Sequence, residues 1–156
     1  MFFIGIITNQ KNEEYIKKQL ANIFPQETIM FITEKNILNV KNIKFESLVI
    51  DANIKNKIEL RKIISNAKYI ILNTDKKIDT EAIKNLNLTV ITYGFNNKST
   101  FTVSSIEEND IIICLQRIIF NKRGIKIEPQ EYALKVKENT DNYMVIAMKI
   151  IEILYS

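Results

Sequence analysis

YIILNTDKKIDTEAIKNLNLTVITYG, from Tyr69 to Gly94, holds two apolar runs separated by a polar stretch in which apolar residues recur at helical spacing. Each run is short, rich in isoleucine and valine, and bounded by turn-forming residues, the pattern of a strand buried on both faces. Between them Asp79 or Thr80 is placed to cap a short helix, with Ala82, Ile83 and Leu86 on its inner side. Strand, helix and strand in this order form a parallel pair joined by a crossover, the unit of an α/β layered sheet.

The same alternation runs back to the start of the chain. FFIGIIT (Phe2 to Thr8) reads as a strand, and NEEYIKKQLANIF as a helix. Asn12 is placed to cap that helix, Glu13 and Glu14 suit its positive end, and Tyr15, Ile16, Leu20 and Ile23 share one side before Pro25 stops it. TIMFIT and FESLVID are the next strands, with EKNILNVKNIK between them as a loop or a short helix. Asn56 to Asn66 is a further helix, with Leu60, Ile63 and Ile64 inward. After Gly94 the pattern changes: STFTVSS alternates with period two, DIIICLQRIIF is strand-like, NKRG turns, and IKIEPQEYALKVK gives two short strands interrupted at Pro129. Asp141 caps a last helix, NYMVIAMKIIEILYS. Met144, Ala147, Met148, Ile151 and Leu154 form one stripe of it, and Val145, Ile146, Ile150 and Ile153 cover much of the rest. A helix apolar nearly all round is either sandwiched in a core or covered by a partner protein or second copy through Met144, Met148, Ile151 and Leu154. The fold class is therefore α/β, a mainly parallel Rossmann-like layered sheet with an antiparallel extension and a C-terminal helix. One domain is expected over 1–156, with the alternating part at 1–94, antiparallel strands at 95–138 and the closing helix at 139–156.

Composition narrows the chemistry. Of 156 residues, 46% are hydrophobic, enough for a core, and the net charge of +4 comes from lysines interspersed with acids, without the clustered basic face of a nucleic-acid binder. There is no His, which removes the commonest general base and metal ligand, and one Cys, which removes internal disulfides and Cys/His zinc sites. Cys114, inside IIICLQRII, reads as a buried small hydrophobe. MFFIGIITNQ lacks the basic region of a leader, and no apolar run reaches the roughly 18 residues of a membrane helix, so a cytoplasmic location is expected.

VITYGFNNKSTFTVSSI, Val90 to Ile106, comes near a phosphate-binding loop. Aligning Lys98 and Ser99 to the end of G-x-x-x-x-G-K-[ST] puts Thr92 and Asn97 at the glycine positions, and a strand pattern follows where a helix is needed. The stretch reads instead as a turn, with Gly94, Asn96 and Asn97 tolerating positive φ and leading from a parallel strand into an antiparallel one.

The segment from Tyr69 to Ile106 resembles part of the Mur ligases, the ATP-dependent enzymes that build the peptidoglycan stem peptide. Asn73, Thr74 and Asp75 match the start of the family's Asn-x-Asp-Asp element, Thr92, Tyr93 and Gly94 match its Thr-Tyr-Gly element, and DNYMVIAMKIIEIL is similar to the helix that closes its central domain. Lys76 stands at the second acid, and Thr140, Asp141 and Asn142 stand where the family has Arg-His-Asn. With the ATP loop also missing, the resemblance implies a stripped central-domain scaffold, non-catalytic, with a binding or regulatory role linked to cell-wall or envelope metabolism.

In an open α/β sheet, ligands bind beyond the C-terminal strand ends. Those ends hold Asn9, Asp51, Asn73, Asp75, Tyr93, Asn96 and Lys98, the candidate ligand-binding set, with no catalytic residue and no metal ligand assigned and the cofactor left open. The alternative function is a small nucleotide- or sugar-nucleotide-binding enzyme or sensor that uses this crevice. Elsewhere, Arg117 and Glu131 are placed to pair across neighbouring strands or to rim a partner site.

Overall fold

The protein is described by a computed structural model covering residues 2–78, 81, 83–84 and 88–156. Its strands are β1 (Phe3–Ile7), β2 (Ile29–Phe31), β3 (Phe45–Ile50), β4 (Tyr69–Asn73), β5 (Thr89–Tyr93), β6 (Phe101–Ile106), β7 (Asp110–Leu115), β8 (Ile119–Phe120), β9 (Lys126–Ile127) and β10 (Gln130–Lys135). The helices are α1 (Glu13–Leu20), α2 (Lys57–Ser65) and α3 (Asn142–Leu154). Most of the short helix expected from Asp79 or Thr80, including Ala82 and Leu86, lies outside the described residues. Ile83 packs against the core formed with α2.

Eight strands form one sheet in the order β10-β7-β6-β5-β4-β3-β1-β2, and β8 pairs with β9 in a separate hairpin. The six strands from β2 to β6 are parallel; β7 runs against them and β10 runs against β7. The α/β sheet with an antiparallel extension is thus as expected. The loop after β5, however, does not reverse the chain. β6 continues in the direction of β5, displaced along it so that a single pair, Tyr93 opposite Phe101, joins them, and the reversal comes at β7. The DIIICLQRIIF run likewise breaks at Gln116, whose N–H donates to the Thr100 carbonyl oxygen before β8 begins.

The period-two alternation of each parallel strand divides two apolar layers. Ile4, Ile6, Val49, Ile71, Ile91 and Tyr93 face α1 and α3, while Leu48, Ile50, Ile70 and Leu72 face α2 and the turn at Ile37–Asn39. That turn is the short 3-10 helix left open by EKNILNVKNIK, and it inserts a fully buried Ile37. Over β7 only one layer forms: Ile111, Ile113 and Leu115 are buried, whereas Ile112 and Cys114 are half-buried on the opposite face. Cys114 is therefore only partly covered, because its face of β7 lies beyond α2.

The all-round apolarity of α3 is explained inside the chain. Sheet residues, Ile16, Leu20 and Phe24 on the α1 side, and Tyr132, Leu134 and Val136 at the β10 side all pack into the cluster that contains α3. Met144, Met148, Ile151 and Leu154, the stripe offered to a partner, are 0–4% exposed, so this chain's own core covers them. The helix end is fixed by Tyr155, whose hydroxyl lies 2.6 Å from Ser47 Oγ and whose ring meets Phe24 edge-on at 4.8 Å. Because Ile146 is fully buried at the centre of this helix, Ile146→Ala should lower unfolding free energy by about 2–5 kcal/mol in urea titrations, as for other large-to-small core changes.

Candidate functional site

The C-terminal ends of the parallel strands converge on one buried carboxylate. Asp51, directly after β3, is 3% exposed. Its Oδ2 accepts from Thr8 Oγ1 at 2.9 Å, and its Oδ1 accepts from Asn73 Nδ2 and from the Tyr93 hydroxyl, both at 2.8 Å. Strands β1, β4 and β5 each supply one donor, because parallel register brings their ends level and short polar residues end each apolar run. Burial pushes the Asp51 carboxyl above its ordinary range, against the hydrogen bonds from Asn73, Tyr93 and Thr8, and the nearby Asp141 carboxylate adds to the push. Burial, reinforced by the Asp51 charge, also lifts the fully enclosed Tyr93 hydroxyl well above its usual range.

Asn73 passes the network outward. Its Oδ1 accepts from the Asp75 N–H at 3.0 Å. The Asp75 carboxylate accepts from the Phe95 N–H at 2.6 Å, Asn96 Nδ2 at 2.7 Å and the Tyr143 hydroxyl at 2.9 Å. Desolvation raises this carboxyl, but the donors from Asn96, Phe95 and Tyr143 outweigh it and hold it below its ordinary range. Tyr143 itself is pushed up to about 12, by burial first and then by its bond to Asp75. Asn96 also donates to Thr74 Oγ1 at 2.8 Å, and its Oδ1 accepts the Lys98 N–H at 3.1 Å, which shapes the loop.

Gly94 is required here for space. A Cβ on it would stand 2.7 Å from Asp75 Oδ1 and 3.0 Å from Asn96 Nδ2. Positive φ, expected at Gly94, Asn96 and Asn97, occurs among the described residues at Asn139 and Gly124 instead. Arg117 donates to the Lys98 carbonyl oxygen from across this loop, rather than pairing with Glu131. Glu131 stands opposite Cys114.

On the other side of Asp51, Asn12 Nδ2 bridges Thr8 Oγ1 at 3.0 Å and Asp141 Oδ2 at 3.1 Å. Asn12 was expected to cap α1, yet its side chain makes no capping bond. Asn9 caps the preceding 3-10 turn, accepting from the Lys11 N–H at 3.1 Å. Asp141 does cap α3, as read from the sequence, through the Tyr143 N–H at 2.9 Å. The structure thus brings Asp51, Asn73 and Tyr93 into direct contact and joins Asp75 and Asn96 to them. Asn9 lies beside Asp51 in a cleft, and Lys98 meets Asn96 through its backbone.

That cleft, about 330 Å³, is lined by Asn9, Lys11, Asp51, Asn53, Lys76 and Asp141 among others. It sits at the ends of β1 and β3, where the chain, having gone outward from β1 to β2, crosses back past β1 to β3, the switch point at which doubly wound sheets take ligands. Lys11, Lys76 and Asp141 were not among the residues singled out for ligand binding. Strand ends alone mark neither the residue two beyond a turn nor a helix cap brought in from the far end of the chain.

A solved ligase is similar to this chain in fold. UDP-N-acetylmuramoyl-L-alanyl-D-glutamate–2,6-diaminopimelate ligase superposes with a TM-score of 0.60 at 11% identity, over 86% of this chain and 39% of that one. The chain spans well under half of that enzyme's length, and at this identity the likeness is one of fold. No family model matches the chain, and no curated protein does.

Two tests bear on the network. Tyr93→Phe leaves a buried carboxylate oxygen short of one donor and should cost about 1–3 kcal/mol in urea unfolding. For Asp75 the folded-state carboxyl is held below its ordinary value of 3.8, so its contribution is present above that value and is lost as pH falls through the lower folded value. The gap in urea midpoint between wild type and Asp75→Asn, open at pH 7, should therefore narrow as pH is taken below 3.8.

Proposed function

We propose that this chain is a non-catalytic, Mur-ligase-like α/β domain with a binding or regulatory role, connected to cell-wall or envelope metabolism through its likeness to the ligase fold. The observation that carries this reading is the enclosure of Asp51, which accepts from Thr8, Asn73 and Tyr93 of the same chain with 3% of the residue exposed. A carboxylate so enclosed has little capacity left for a metal ion or a ribose. The absence of any His and of the glycines of a phosphate loop supports the same reading. On this view the strand-end polar residues act as a lock that keeps the parallel sheet in register. The purified protein should neither hydrolyse ATP nor join amino acids to a sugar-nucleotide peptide acceptor. Measurable turnover of either kind, retained through an independent purification, would remove the proposal.

A second reading is favoured by one feature, the lysines at the switch-point cleft. Lys11, Lys76 and Lys77 line it together with Asn9 and Asn53, a set suited to an anionic nucleotide or sugar-nucleotide with Asn9 and Asp51 beneath it. Here Asn73, Asp75, Tyr93, Asn96 and Lys98 support the ligand's surroundings. Thermal unfolding against ATP, ADP, UDP and UDP-sugars, with and without Mg²⁺, separates the two. A ligand present at about 100 times its dissociation constant adds roughly 2.7 kcal/mol. The first reading expects no shift from any of them. A selective shift abolished by Lys76→Glu with Lys77→Glu would put the second ahead.

A further inference from the structure

A groove of about 210 Å³ opens between α1, β10 and α3 and shares no lining residue with the switch-point cleft. Apolar side chains, among them Ile23, Leu134, Val145 and Met148, form much of its wall, and four lysines line it. Two of these lysines are paired: Lys135 with Asp110 at 2.9 Å, and Lys149 with Glu152 at 3.0 Å. Lys18 and Lys137 stand beside each other, and among the described residues neither lies within ion-pair distance of a carboxylate.

The turn after β10 has Asn139 at φ 64, the Thr140 N–H donates to the Lys137 carbonyl oxygen at 3.2 Å, and Lys137 lines the groove. Two adjacent ammonium groups repel each other. The neighbouring Lys137 holds the Lys18 ammonium below the usual lysine range. An anionic group between them turns that repulsion into two charge-assisted hydrogen bonds. The apolar wall behind rewards an aliphatic body by removing its methylenes from water. The volume falls below the roughly 300–1,000 Å³ of pockets for drug-sized ligands, which selects a small molecule.

We propose that this groove binds a small amphipathic anion, with a carboxylate head between Lys18 and Lys137 and a short aliphatic body over Ile23, Val145 and Met148. The test is titration calorimetry of the full chain with octanoate, acetate and octylamine, paired with methyl NMR spectra that report where octanoate lands. Octanoate should bind one to one and shift the methyl signals of Val145 and Met148, with acetate and octylamine weaker by about tenfold or more. Lys18→Gln with Lys137→Gln should weaken octanoate by a similar factor. It should also leave the unfolding temperature equal or higher, since both side chains are exposed and the repulsion is gone. Octanoate bound equally well by that double variant, octylamine bound as well as octanoate, or no octanoate binding in the millimolar range would each overturn the assignment. So would a capped acidic peptide binding in the groove where octanoate does not, which would make the surface a protein-docking site.

Discussion

Asp51 is a charge-bearing group set at the point where the ends of four strands meet, and the strands are held level by what it demands. A buried carboxylate loses several kcal/mol of hydration unless donors replace the water. Thr8, Asn73 and Tyr93 are those donors, and each sits at the end of a different strand. A slip of one residue in any of these strands would turn its donor to the other face of the sheet. The hydrophobic alternation along β1, β3, β4 and β5 and the polar junction at their ends therefore specify the same register by independent means. The same junction reaches α3 through Asn12, Asp141 and Tyr143, so the helix that fills one core layer is positioned by polar contacts as well as by packing.

Much of this was readable in the sequence. Short isoleucine-rich runs ending in Thr8, Asp51, Asn73 and Tyr93 announce parallel strands, and the strand-end rule then groups those residues. The sequence resemblance to the Mur ligases marked Asn73, Asp75, Tyr93 and Gly94 through two short elements. The direction of β6 was not readable, because the loop of residues 94–100 has the composition of a reversing turn whichever way the chain leaves it. What decides the direction is a displacement along the strand axis, which leaves one pair, Tyr93 with Phe101, to join β5 and β6. The reason for Gly94 was hidden as well. Its backbone is ordinary, and the constraint is the Asp75 carboxylate lying where a Cβ would stand.

The links through Asn12, Asp141 and Tyr143 were out of reach for a different cause. Asn12 and Asp141 are 129 residues apart, and both carry the local signature of a helix cap. Asp141 fulfils that signature while Asn12 does not, since a 3-10 turn capped by Asn9 takes over at the start of α1. Only the docking of α3 against α1 decides which of the two local options each side chain takes. Arg117 shows the same dependence on tertiary context. It sits where a cross-strand partner would serve it, and the loop carbonyl of Lys98 reaches it from the other side.

The place of α3 has a consequence for how the molecule comes together. It follows in sequence every strand and helix that it packs among. A chain paused before Asp141 has all eight strands of the sheet, yet the face carrying Ile71, Ile91, Ile113 and Leu115 lacks its central cover. Domains assembled during synthesis begin from the N-terminal side, and uncovered apolar sheet surface is what associates wrongly in that interval. A segment made after the strands it covers is thus the one that shields the sheet from its own kind, and Asp141, with bonds to both Tyr143 and Asn12, is the residue that both starts that segment and catches it against α1.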